Sequence, residues 1–399
     1  MRPLDLLFVG LLPPHPGGAA ISAGQIVTGL ARRGHAVRAV APITEDAARD
    51  GDPFAARQTA LEITRFTVPY FYVSPQTPAP EEYWRRDESE VERLLPMLLR
   101  ARRPDLIFVG RETYAACVAP IAARWQLPFV LRLPGGTSLG LLQGWYPPAL
   151  ASRLLGAYEM AAAVISPGRH LADLVRERGV DRVTVIPTAV DIEQFAPRPK
   201  DPALLQALEI PSDAVVVTHV SNLKPVKRPM DLIESAPAAM RRDGRLVYLI
   251  VGDGPLRGRM ESACRDAGIE HRFRFVGWVD HAEIPAYLSL ADMVVMPSEW
   301  EALARAYVET QACGRVLVAS DIRAAREVIL DGETGVLFRP GDIADLTDKI
   351  LDLAAAPERR AAIGRQARAR IRPHSLDGAV EAYERLMAEL VWPRPAARP

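Results

Sequence analysis

The chain holds 399 residues, about half hydrophobic and a quarter charged, a length that suits two core-forming domains better than one. Its 49 basic side chains balance 49 acidic ones, so no net field recruits nucleic acid or an anionic membrane. Three scattered cysteines, Cys117, Cys264 and Cys313, lack metal-ligand spacing, and their odd number argues against a disulfide framework. A reducing cytoplasm is the expected setting.

The opening "LDLLFVG" is broken by Asp5, is short for a secretory signal, and leads into a glycine loop, so it reads as a first buried strand. The runs "AVRAVAPI", "DLIFVG", "PFVLRL", "AAVIS" and "VTVIP" follow, separated by longer amphipathic stretches. That alternation is expected of parallel sheets covered by crossover helices. A proline-rich segment, 195–205, reads as a linker, after which "AVVVTHV", "RLVYLIVG", "FRFVG", "DMVVMP", "VLVAS" and "GVLF" form a second series. The expected fold is α/β: two tandem Rossmann-like, doubly wound domains, 1–195 and 206–375, facing a cleft. A terminal helix, 376–391, is expected to pack back across both. No run approaches the roughly 20 apolar residues of a membrane span. The stretch 93–103, "RLLPMLLRARR", reads as an ordinary amphipathic helix, with peripheral membrane contact the less favoured alternative. Asp50, Gly51 and Asp52 match a metal-binding D-x-D in form only, because they follow a polar loop rather than a strand.

Candidate chemistry falls in four loops after strands. The first, "PPHPGGAAISAG", offers Gly17 and Gly18 for close backbone approach to a ligand. The second, "SNLKPVKRP", holds Lys224 and Lys227, half of the chain's lysines; only Lys200 and Lys349 occur elsewhere, against 45 arginines. So biased a composition suggests that a compact ammonium is wanted there, able to reach a phosphate. The third, "IVGDGPLRG" with Gly252, misses the spacing of the dinucleotide fingerprint. The fourth is "SEWEALARAYVETQACG". It reads as a turn and a helix over 302–313, with Ser298 and Glu301 spaced as a capping box and Glu309 in its third turn. Arg305, four residues before Glu309, could pair with it at the surface. The alternative is a carboxylate aimed at a polar ligand.

The order of glycine loop, lysine turn, "VGDGPL", "FVGWV" and Glu-x7-Glu running into "ACGRVLVASDIRAAREVILDGETGVLF" resembles the retaining glycosyltransferases of family 4, which have the GT-B fold. The resemblance covers nearly the whole chain and is strongest over 221–338. It implies a sugar transferred from a nucleotide diphosphate sugar with retention, with neither a metal nor a cofactor. It implies that Lys227 holds the donor diphosphate, Glu301 the sugar hydroxyls and Glu309 the ribose hydroxyls, while Trp278 and Val279 flank the base. Lys227 and Glu301 are thus the catalytic candidates. Ser221, Asn222, Lys224, Gly252, Ala302, Leu303, Ala304 and Arg305 complete the donor-side set with Gly17 and Gly18.

Departures from the family pattern are local. Ser221 stands where the family often has an arginine, leaving Lys224 or Arg305 to supply a second cation. Ala302 and Ala304 replace glycines, and Pro134 replaces a usual histidine, before Gly135, Gly136 and Thr137. With His15, Arg111 and Glu112, these last three are the acceptor-side candidates. The acceptor itself, a small molecule, glycan or lipid, is open, as is the base of the donor. The aromatics Tyr83, Trp84, Trp145 and Tyr146 suit a rim or a core equally. A nucleotide-sugar epimerase on the same fold and a non-catalytic nucleotide-binding module are the alternative functions.

Overall fold

The structure, a computed structural model, describes residues 2–71 and 81–392, without the side chains at 81–84 and 137. Readings that need the side chains of Tyr83, Trp84 or Thr137 lie outside the described residues. The chain divides into two compact units: Met1–Thr188 with Leu376–Pro399, and Ala189–Ser375.

The first unit is built on seven strands, β1 (Asp5–Val9), β2 (Ala36–Thr44), β3 (Leu61–Val68), β4 (Leu106–Val109), β5 (Phe129–Arg132), β6 (Ala163–Ser166) and β7 (Val183–Val185). They pair in parallel in the order β3-β2-β1-β4-β5-β6-β7. The second unit carries β8 (Val215–Val220), β9 (Leu246–Val251), β10 (Phe273–Gly277), β11 (Met293–Met296), β12 (Val316–Ser320) and β13 (Val336–Phe338). These too are parallel, in the order β10-β9-β8-β11-β12-β13. Helices cover both faces, so strands such as "LVYLIV" of β9 are buried at every residue and read as continuous apolar runs. Both units are Rossmann-like, as the sequence implies.

β3 was not among the expected strands. It lies at the sheet edge, where "LEITRFTV" is largely half-buried and carries charges that interrupt an apolar run. Residues 195–205, expected as a linker, lie inside the second unit. Phe195 is in its core, and Asp201 caps a short helix, Pro202–Ala207, by accepting from the Ala203 amide at 2.9 Å. Charge and proline content suggested solvent, but Phe195 and Leu205 lie in the core, and Lys200 pairs with Asp292.

The terminal helix, Leu376–Val391, packs against the first unit's opening helix, Gly18–Arg32. Gly29 makes this possible, since a Cβ there would sit 2.5 Å from a Val380 methyl. Arg33 Nε donates to Glu384 at 2.6 Å, and His35 Nε2 lies 3.2 Å from the same carboxylate. Among the described residues, no helix is long and apolar enough to cross a membrane.

Candidate active site

In each sheet the strand order reverses beside the first strand, between β1 and β4 and between β8 and β11. Loops leaving the carboxyl ends of such neighbours diverge, which opens room for a ligand. In the second unit those loops carry Lys227 and Glu301. After β8 the chain makes a 3-10 turn, Pro225–Lys227, and after β11 it runs through 297–304 into the helix Arg305–Ala312. The loops are tied together by the Glu299 amide, which donates to the Val226 carbonyl at 2.9 Å.

Lys227 Nζ donates to Glu301 Oε1 across 74 residues of sequence, and the Ser298 hydroxyl donates to the same oxygen at 2.8 Å. Two expectations need correction. The helix begins at Arg305 rather than 302, with Ala304 as an N-cap that has no side-chain cap, so Ser298 and Glu301 form no capping box. Glu309 accordingly sits in the second turn, not the third. Glu301 is instead a nearly buried loop carboxylate held beside an ammonium, 8% exposed.

The lysine turn rests on a polar scaffold. His219 is fully buried, and its Nδ1 lies 2.8 Å from the Val295 carbonyl, which can only accept, so that nitrogen carries the proton. Nε2 then accepts from the Ser221 hydroxyl at 2.7 Å, and Ser221 Oγ accepts from the Leu223 amide at 3.0 Å. Burial pushes the His219 pKa down to about 4, which keeps the ring neutral. Gly252 and Gly254 have positive φ, and a Cβ on either would come within 1.9 Å of the Ser221 or Asn222 carbonyl oxygen. The glycines of "VGDGPL" thus let the lysine turn pack closely. Asn222 Oδ1 is buried without a hydrogen-bond partner. Lys224 makes no ion pair among the described residues; burial first, then the charge of Lys227, lowers its pKa.

Glu309, 4% exposed, is paired as well, but not at the surface. Arg305 donates to its Oε1 from Nε at 3.1 Å and from Nη2 at 2.9 Å, and His281 Nε2 lies 2.7 Å from the same oxygen. Burial opposes ionisation of Glu309, yet the Arg305 charge and the His281 hydrogen bond outweigh it and hold the carboxyl below its usual range. His281 was missed in the sequence, being 28 residues from Glu309 with no motif to mark it. Trp278, three residues before it, is 55% exposed, whereas Val279 packs against the core. Ala302, Leu303 and Ala304 are buried.

The acceptor-side candidates belong to the first unit, as do Gly17, with φ 115°, and Gly18, which opens the first helix. Arg111 donates to Asp87 at 2.7 Å and to the Tyr114 hydroxyl at 3.0 Å. Glu112 is fully buried and accepts from the Ser138 amide at 3.2 Å and from its hydroxyl; burial raises its pKa. Burial, then the Arg111 charge, pushes His15 down to about 4, and its ring lies 4.5 Å from Phe71. Gly135, φ 124°, and Gly136 start a short helix. Tyr146 is core, while Trp145 is exposed. Asp52 caps a helix and binds Arg65 at 2.7 Å, so the D-x-D match is structural. Among the described residues, no three His, Cys, Asp or Glu side chains are grouped to hold a metal ion.

Residues 16–194 match the Glycosyltransferase Family 4 description, and residues 201–370 match Glycosyl transferases group 1. The D-inositol 3-phosphate glycosyltransferase of Xylanimonas cellulosilytica is 30% identical over 69% of this chain and 69% of its own. A GDP-mannose-dependent alpha-(1-6)-phosphatidylinositol monomannoside mannosyltransferase of Mycolicibacterium smegmatis is 33% identical over 45% of this chain and 49% of its own. The chain spans about half to two thirds of the length of the first curated relatives it matches. The fold is shared with Anabaena HepE, solved with UDP and glucose, at a TM-score of 0.77, 20% identity, and coverage of 96% of this chain and 99% of that one. Two family descriptions that between them span both units, and a relative of that identity and extent, establish that this chain belongs to glycosyltransferase family 4, with the GT-B fold.

Proposed function

We propose that this protein is a retaining glycosyltransferase that moves a sugar from a nucleotide diphosphate sugar to a hydroxyl-bearing acceptor without a metal ion. The observation that carries this reading is the pairing of Lys227 with Glu301 at the switch point of the second sheet. One loop there offers an ammonium for phosphate, and the neighbouring loop offers a carboxylate for sugar hydroxyls.

Breaking the anomeric bond leaves negative charge on the departing diphosphate. Lys227 stabilises that charge where it develops, aided by the uncapped amides at the start of the helix Arg305–Ala312. Arg305 is committed to Glu309 through two hydrogen bonds, which leaves Lys224, unpaired with any carboxylate among the described residues, as the second cation. Glu301 accepts hydrogen bonds from the sugar, which compete with Lys227 and Ser298 for its oxygens. Glu309, held ionised, is suited to accept from the ribose hydroxyls, which donate as well as accept. A relative named for GDP-mannose and a fold neighbour solved with UDP support a nucleotide diphosphate donor.

A thermal-shift screen of UDP, GDP, ADP and dTDP, each with and without its sugar, tests the reading. One base should stabilise the wild type, Lys227→Met should lose that response to both forms, and Glu301→Gln should lose only the advantage of the sugar form. Equal stabilisation of Lys227→Met would contradict it.

A further inference from the structure

We propose that His281 is a positioning residue for the donor ribose, fixing the Glu309 carboxylate so that one of its oxygens is left to receive the hydroxyls. This role rests on the donor reading above. Among the described residues, the cluster engages Glu309 through Oε1 alone: two hydrogen bonds from Arg305, at 3.1 and 2.9 Å, and the 2.7 Å contact with His281 Nε2. Oε2 takes no part in it. A carboxylate that receives two vicinal hydroxyls must be ionised and held in one rotamer, and these are separate requirements. Arg305 meets the first through its charge. It lies on the same helix, one turn back, and so approaches from one side only.

His281 approaches from another element, the segment that follows β10, and its ring is itself fixed. Phe195 packs against it with centroids 5.2 Å apart and an interplanar angle of 40°. The Arg305 Nη2 group also lies 2.9 Å from His281 Nε2, so the three side chains close a ring around one oxygen. With its proton on Nε2, the imidazole donates to Glu309 Oε1, the acceptor in the group, and the neighbouring Arg305 Nη2, itself only a donor, is then a packing contact of that nitrogen and not a hydrogen bond. Trp278 is three residues from His281 on the same segment and is exposed. One stretch of chain therefore carries both the residue that steadies the carboxylate and a ring free to meet a base.

Affinities of wild type, Glu309→Gln, His281→Ala and His281→Gln would be measured by calorimetry for UDP, GDP and ADP, each as ribonucleotide and 2′,3′-dideoxynucleotide. For the base that binds, wild type should favour the ribonucleotide by about tenfold or more, the value of one hydrogen bond to a charged group. His281→Ala should shrink that preference to about threefold or less and leave affinity for the dideoxy form nearly unchanged. His281→Gln restores an N–H at similar reach and should recover most of it. A merely structural histidine would lower the melting temperature and weaken both forms alike, which overturns the proposal. If Glu309→Gln abolishes the preference while His281→Ala retains it, the positioning role fails and the ribose role of Glu309 stands. If wild type shows no preference for the ribonucleotide, both fail together.

Discussion

Lys227→Met keeps the length of the side chain and removes the charge, which leaves Glu301 in the loop with only the Ser298 hydroxyl as partner. Breaking a fully buried pair from one side costs about 3 to 5 kcal/mol. Here the side chains are 19% and 9% exposed, and Ser298 stays, so a loss of about 2 kcal/mol is expected. In a unit of this size that corresponds to a fall of about 4 to 8 °C in melting temperature. The turn lysine therefore contributes to stability as one half of a nearly buried ion pair. Adding Glu301→Gln removes the stranded carboxylate and should recover most of the stability. Activity should behave differently: losing a cation that meets developing charge should lower kcat about 100-fold or more, and the double variant should not regain it. Scanning calorimetry and steady-state release of nucleoside diphosphate separate the two effects. Unchanged kcat beside the expected thermal loss would show that Lys227 is there to neutralise Glu301 and has no part in transfer.

Glu309 gives a pH test whose sign follows from its lowered pKa: its stabilisation is full above about 4.5 and is lost as pH falls through the lower folded value. The melting-temperature gap between wild type and Glu309→Gln should therefore be flat above pH 5 and narrow below about 4.5, as calorimetry across that range would read. Gly254→Ala places a Cβ 1.9 Å from the Asn222 carbonyl oxygen, so the lysine turn must shift; donor affinity should fall more than tenfold, roughly, in a chain that still folds. Activity should survive excess EDTA in full, and its abolition with rescue by magnesium or manganese would remove the metal-independent reading.

Most of the architecture was legible because buried parallel strands write themselves as apolar runs, as in "LVYLIV" and "MVVM". The edge strand β3 was not, since its charges break the run. The helix after Glu301 was expected three residues early because Ala302, Leu303 and Ala304 have good helical propensity, while the paired carboxylate keeps that stretch as a buried loop. The lysine turn showed itself through composition, since ammonium groups are scarce in this chain. Neither His219 beneath it nor His281 beside Glu309 could be found that way. Their partners are 76 and 28 residues away, and only the strand order brings them together.

The most direct test of the central claim is product analysis with a panel of nucleotide diphosphate sugars and hydroxyl-bearing acceptors, followed by proton NMR at the anomeric centre. The expected result is free nucleoside diphosphate in step with a glycoside of the same anomeric configuration as the donor. Inversion would contradict retention. Interconversion of the intact nucleotide sugar, with no release, would make the protein an epimerase and contradict transfer itself.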